Sequence, residues 1–243
     1  MLAGVVTAFV CFLPAAAGAS GAARENGRPL IAVFPPNSYG GHPQVWGAAQ
    51  DRDGLIYLAA AGAIHIYDGS TWRSVISPNA EVMRSVIGTP QGIYWGSEGD
   101  FGVLEPKPGG ALHFVSLLPF VAKPDRAFER VTQVLSVGRG ALFRSRWHLF
   151  LWPGAGGPLK VWRLPESPDT GFDAVGQVGG RTLLASRGAG LLELHQGAWR
   201  SLPGSRLPPE QKVAAITSGP RGGLVVVTEA GGLFLYDGGG ITS

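Results

Sequence analysis

Along residues 45–243, short runs of apolar residues alternate with turns rich in glycine, and within many runs hydrophobic and polar positions alternate one by one. Such a period of two marks strands with one buried face, and fully apolar runs of this length fit strands buried on both faces. No run keeps the three-and-four spacing of an amphipathic helix over ten residues. The strongest runs begin within two residues of a glycine: residues 55–59, 93–96, 141–145, 182–186 and 224–228. A second set, 64–68, 101–105, 148–152, 191–195 and 233–237, is centred 10 to 13 residues beyond the turn glycines, and an aromatic-bearing third set follows at 71–75, 112–117, 159–164 and 198–202.

These runs recur as a repeat. The turn glycines Gly54, Gly92, Gly140, Gly180 and Gly223 are 38, 48, 40 and 43 residues apart. A period near 40 residues holding four short strands is that of a β-propeller blade, and it excludes helical solenoids of similar length. The fold class expected is therefore all-β, a β-propeller with about five blades at 45–75, 82–117, 128–164, 171–204 and 213–243, either complete or a truncated six- or seven-bladed ring. Residues 20–44 form an N-terminal lead. The fifth repeat is expected to have no fourth strand, since the sequence stops at Ile241-Thr242-Ser243 where one should start, and Leu30 to Phe34 is an apolar run with no blade of its own. That run is expected to close the ring beside Leu233 to Tyr236, and a fragment is the expectation favoured over a complete ring.

Composition sharpens this picture in three places. Gly 38 and Pro 19 of 243 residues supply turns, while 45% hydrophobic and 15% charged residues exclude a disordered chain. The net charge of +3 is dispersed, so nucleic acid is not implied. The single cysteine, Cys11, lies in an uncharged N-terminal stretch that runs through Leu13 to Pro14 and then to alanines at 15–17 and 19. Residues 1–19 read as a signal peptide cleaved after Ala17 or Ala19, an uncleaved anchor being the alternative, and no second stretch is long enough to span a bilayer. The protein is expected to be exported, periplasmic or extracellular.

The first repeat, with Tyr39-Gly40-Gly41-His42-Pro43-Gln44 leading to Trp46 and Gln50-Asp51, resembles the two-component regulator propellers. In the second, Arg84-Ser85-Val86 and Gly99-Asp100-Phe101-Gly102 before Val103-Leu104 carry the same resemblance. It covers about Pro29 to Tyr236. It implies an extracytoplasmic ligand-binding sensor module of a bacterial membrane signalling protein, with a kinase, cyclase or DNA-binding output in a longer gene product. No such output motif lies within the chain.

Catalytic chemistry finds little support. The five histidines have no metal-ligand spacing, and His65, His113, His148 and His195 read as half-exposed residues on sheet faces. Tyr67-Asp68-Gly69-Ser70-Thr71-Trp72 approximates the turn of sialidase-type propellers, a motif that reports on fold. No catalytic residue, metal or cofactor is assigned. The alternatives to a sensor are a propeller carbohydrate-active enzyme, glycosidase or lyase, and a secreted protein-binding scaffold.

Geometry narrows the binding surface. In a propeller the loops entering the innermost strand and those leaving the second strand gather on one face. Counting eight back from each turn glycine selects Trp46, Arg84, Thr132, Phe172 and Ala215. Counting six forward selects Ala60, Glu98, Arg146, Ser186 and Glu229, with Trp147 and Arg187 next along. His42 precedes the first strand at the channel mouth. The candidate ligand-binding residues are thus His42, Trp46, Arg84, Glu98, Arg146, Trp147, Phe172 and Arg187, and the ligand class is small and polar or anionic, a saccharide included.

Overall fold

A computed structural model describes residues 31–154, 157–208 and 210–242, and the expected signal peptide lies outside them. Residues 34–242 contain five antiparallel four-stranded sheets. The first is β1 (Val45–Gln50), β2 (Ile56–Ala60), β3 (Ala63–Tyr67) and β4 (Trp72–Ile76). The second is β5 (Met83–Thr89), β6 (Gly92–Ser97), β7 (Phe101–Pro106) and β8 (Leu112–Ser116). The third is β9 (Gln133–Val137), β10 (Gly140–Arg144), β11 (His148–Trp152) and β12 (Lys160–Arg163). The fourth is β13 (Phe172–Val178), β14 (Arg181–Ser186), β15 (Gly190–His195) and β16 (Ala198–Ser201). The fifth is β17 (Val213–Ser218), β18 (Leu224–Thr228), β19 (Leu233–Tyr236) and β20 (Ile241–Thr242). Each sheet is a meander in chain order, the fold of a propeller blade.

The core is four apolar layers, one between each pair of successive sheets. Tyr57, Ile64 and Ile66 of the first sheet meet Met83, Ile93 and Trp95 of the second. Phe101 of the second sheet stacks on Phe143 and Phe150 of the third. Leu142 and Leu149 meet Phe172, Val175 and Leu184 of the fourth, whose Ala174, Leu183 and Leu191 meet Val213, Ile216 and Val226 of the fifth. Burying both faces of the central strands explains why their sequences are apolar throughout.

The inner strands β1, β5, β9, β13 and β17 touch in that order, and no comparable contact joins β17 to β1 among the described residues. They converge closely enough to require glycine. A Cβ on Gly176 of β13 would lie 2.9 Å from the Ile216 carbonyl oxygen of β17, and one on Gly88 of β5 would lie 3.1 Å from the Asp51 Cα. Polar ties cross the same seam: Ser85 Oγ donates to the Val131 carbonyl at 2.9 Å, and Gln177 Nε2 to the Ser136 carbonyl at 2.9 Å.

Two expectations are corrected. The fifth sheet has its own fourth strand, β20, because Asp237 Oδ1 accepts from the amides of Gly239 and Gly240 at 2.9 and 3.1 Å and turns the chain back, so that Ile241 pairs with Tyr236. The place beside β19 expected for the closing strand is thereby filled. Leu30 lies outside the described residues, residues 31–35 form no strand, and Phe34 packs on Tyr67 and Trp72 of the first sheet with ring centroids 4.9 and 5.5 Å away. His65 and His148 are fully buried instead of half-exposed, each 2% accessible. His148 lies in the layer between the second and third sheets, beside Phe128 and Phe150, whereas His65 lies on the other face of the first sheet, under the Tyr39 ring and 2.8 Å from Ser74 Oγ.

The outer face of the fifth sheet stands open. Leu191 of β15 is completely buried against the fifth sheet, yet Leu233, which holds the same register position in β19, is 64% exposed, and Leu235 beyond it is 47% exposed.

Candidate functional site

The connections entering β9, β13 and β17 and the loops leaving β10, β14 and β18 meet at one face. There they enclose a cleft of about 300 Å³ that spans the third, fourth and fifth sheets. Its lining includes Arg130, Arg144, Arg146, Arg187 and Lys212 against Glu129, Asp173 and Glu229, an excess of two positive charges.

Arg144 forms its floor. It pairs with Leu149 across β10 and β11 as Gly96 pairs with Phe101 and Ala185 with Leu191, so a guanidinium stands where the neighbouring sheets place glycine and alanine. Nη1 donates to the Phe172 carbonyl at 2.6 Å and Nη2 to Thr132 Oγ1 at 2.7 Å, while Nε is buried without a partner. Both acceptors are neutral. Withdrawal from water lowers the guanidinium pKa to about 10, with the carboxylates of Asp173 and Glu229 pulling it upward. Arg144 thus remains a cation at neutral pH, with no carboxylate bonded to it.

The other charges divide by role. Arg187 donates through Nη2 to Asp173 Oδ1 at 2.6 Å and through Nη1 to the Pro168 carbonyl at 2.6 Å, and both side chains of this ion pair are 8% exposed. It is a buried strut between the fourth sheet and its entry loop. Arg146 is exposed, and its guanidinium carbon lies 4.6 Å from the centroid of the Trp147 ring, a cation–π contact that holds it at the rim. Lys212 and Glu229 face each other at 3.9 Å, loosely and in solvent.

The residues selected by counting from the turn glycines fall into two groups. Arg146, Phe172 and Arg187 line the cleft, with Trp147 beneath Arg146. Trp46, Arg84 and Glu98 form a separate cluster on the first and second sheets: the Arg84 guanidinium lies 4.0 Å over the Trp46 ring, and its Nε donates to Glu98 Oε1 at 3.1 Å. His42 belongs to neither group. It follows the short helix α1 (Pro36–Tyr39), accepts from the Gln44 amide at its own Nδ1, 3.1 Å away, and offers its carbonyl to Tyr39 Oη. Ala215 also leaves the rim, because the turn between β17 and β18 holds five residues where that between β13 and β14 holds two, so that Val213, not Ala215, stands in the register of Phe172.

Arg144, Asp173 and Lys212 were missed by that count. Arg144 had a visible signal, a lone charge inside an apolar second strand. Asp173 had none, since its importance comes from a partner 14 residues away. The motif at Asp68 is a turn: its Oδ1 accepts from the amides of Ser70 and Thr71 at 2.9 and 2.7 Å, joining β3 to β4 far from the cleft.

The fold is thus that of a β-propeller, and the site is a cationic cleft on the face where its entry loops gather. No family model matches the sequence, and none of the curated proteins matches it. Solved structures share the fold. The extracellular domain of BT4673 from B. thetaiotaomicron, assigned as a hybrid two-component system, matches at a TM-score of 0.59 and 16% identity over 80% of this chain and 27% of that one. Virginiamycin B lyase from Staphylococcus aureus matches at 0.60 and 11% identity over 84% and 72% of the two chains. YCF48 bound to D1 peptide matches at 0.56 and 12% over 88% and 73%. The chain spans about a quarter of the length of the BT4673 extracellular domain. Among the described residues no helix is long and apolar enough to cross a membrane.

Proposed function

We propose that the chain is an exported ligand-binding sensor module of the two-component regulator propeller type, non-catalytic by itself, and that the cleft over the third to fifth sheets receives a small anionic ligand. The observation that carries this reading is Arg144, a half-buried cation bonded to neutral oxygens and lining the cleft. An anion of carboxylate or phosphate type would take up the unanswered charge, with Arg146 and Lys212 closing over it from the rim. Two of the cleft's three acids are engaged, Asp173 by Arg187 and Glu229 by Lys212, which supports binding over proton transfer.

A signalling role follows from the span of the cleft. Its cations come from three consecutive blades, so one bound anion draws the loops of all three together and favours whichever arrangement of blades holds them closest. The motifs of the first two repeats support the sensor assignment, and the BT4673 extracellular domain has the same fold in a sensor protein.

The test is a thermal-shift titration of the chain with small mono- and dicarboxylates, phosphate and sugar phosphates. A stabilising anion whose effect is lost in Arg146→Ala, with the unliganded melting temperature unchanged, supports the reading. No stabilisation by any anion at concentrations well above millimolar overturns it, because a bound ligand must raise the melting temperature.

A further inference from the structure

We infer that a second site, the groove between the second and third sheets on the face opposite the cleft, binds a neutral saccharide. It shares no lining residue with the anion site. The groove encloses about 520 Å³, within the range of small-molecule sites. Its position answers the one irregularity of the repeat, the 48-residue interval between Gly92 and Gly140 where the others are 38, 40 and 43. The added length lies in the connection 117–132, which makes two turns of 3-10 helix at Leu118–Phe120 and Lys123–Asp125. The first of these turns carries Phe120 to the groove wall.

Phe120 is 62% exposed, yet it is held firmly. Its amide donates to the Leu117 carbonyl at 3.0 Å, and Arg126 braces the turn from behind, donating to the carbonyls of Val121 and Pro119 at 2.8 and 3.1 Å. The ring lies 5.2 Å from that of Trp152 at 42°, and both residues line the groove. Phe120 and Trp152 thus give the groove a joint aromatic wall.

The remaining wall is polar. Gln91, Glu105 and Arg139 stand at the groove from the turns and outer strand of the two sheets, and among the described residues neither Glu105 nor Arg139 forms an ion pair. One carboxylate and one guanidinium leave the groove without net charge, unlike the cationic cleft. An acceptor, a fork of donors and an amide that does both suit the vicinal hydroxyls of a sugar. The C–H face of a pyranose carries partial positive charge and meets the negative face of an aromatic ring. Aromatic platform and neutral polar wall together fit a sugar ring seated edge-on to Gln91, Glu105 and Arg139, with its C–H face on Phe120 and Trp152.

The experiment labels the chain with 5-fluorotryptophan, assigns the Trp152 resonance by Trp152→Phe, and titrates neutral di- to tetrasaccharides of glucose, xylose, mannose and galactose, with a proline- and aromatic-rich peptide as the alternative occupant. The expected result is a saccharide that shifts Trp152 with millimolar or tighter affinity, weakened about tenfold by Phe120→Ala and unaffected by Arg146→Ala. If Phe120→Ala lowers the melting temperature, Glu105→Ala on the opposite wall gives the same comparison. The inference is overturned if no saccharide moves Trp152, if the peptide alone does so, or if the variant at the groove binds as the wild type does. Loss of binding in Arg146→Ala would place the saccharide in the other cleft and overturn it equally.

Discussion

Two arginines of the cleft, Arg144 and Arg187, look alike in the sequence and should behave oppositely when replaced by methionine, which keeps the length of the stem. Arg187 and Asp173 are a buried pair joined at 2.6 Å, and removing the guanidinium strands a carboxylate that is 8% exposed. Breaking such a pair costs about 3–5 kcal/mol, which for a domain of this size lowers the melting temperature by roughly 10 °C. Arg144 has no carboxylate to strand. Its pKa lowered to about 10 from 12.5 corresponds to about 3 kcal/mol against the buried charge. Its two hydrogen bonds to neutral oxygens return about 1.5–3 kcal/mol each. The net is about 0–3 kcal/mol in favour of the arginine, so Arg144→Met should destabilise by no more than about 3 kcal/mol while weakening anion binding about 10- to 100-fold, the worth of one charge-assisted bond. Denaturant unfolding followed by tryptophan fluorescence measures the first quantity and calorimetric titration the second. Equal destabilisation by the two substitutions would make Arg144 a structural strut and remove the main support for the anion site. Unchanged affinity in Arg144→Met would do the same.

Other consequences are as direct. Burial lowers the pKa of His65 and of His148 below 6.5, so the unfolded chain binds more protons between the lowered values and 6.5 and stability must fall as pH drops through that window; melting curves from pH 5 to 8 should show this, and the slope should shrink in His148→Phe. A flat profile would mean that water reaches both rings. The open face of the fifth sheet should make the chain self-associate with rising concentration, and Leu233→Lys with Leu235→Lys should restore a monomer in sedimentation velocity. Gly176→Val should destabilise by about 1–3 kcal/mol through the clash of its side chain with the Ile216 carbonyl, whereas substitution of Gly231, at the exposed turn before β19, costs only the strain of its positive φ.

Why the blades could be read from the sequence, and part of the site could not, is a matter of range. A blade is a local object: four strands, three turns and a glycine that each turn needs, all within about 40 residues, so its pattern survives in the order of residues. The fourth strand of the fifth sheet escaped because it is two residues long and lacks the tryptophan that marks Trp72 and Trp199 in theirs; the turn formed by Asp237 and the following glycines reads equally well as an end. The site depends on contacts that no spacing encodes. Arg187 reads as a rim residue beside Arg146, and only the fold shows Asp173 neutralising one and leaving the other exposed. The buried histidines escaped for the same reason, since alternation along a strand tells which face a residue takes and not how deeply the next blade covers it.

The separation of the two sites also bears on how a ligand could be sensed. The anion cleft lies where three blades converge, near the axis and at inner strands that glycines bring into close backbone contact. A force applied there acts across the seams held by Gln177 with Ser136 and Gln133 with the Val175 amide, the polar ties between the third and fourth sheets. The aromatic groove instead lies on the opposite face, at the seam of the second and third sheets. The third sheet is shared: Arg144 at the end of β10 faces the cleft, while Trp152 at the end of β11 faces the groove, one strand away. Any shift of that sheet on its neighbours is therefore felt at both sites, and occupancy of one should alter affinity at the other by the same factor in both directions.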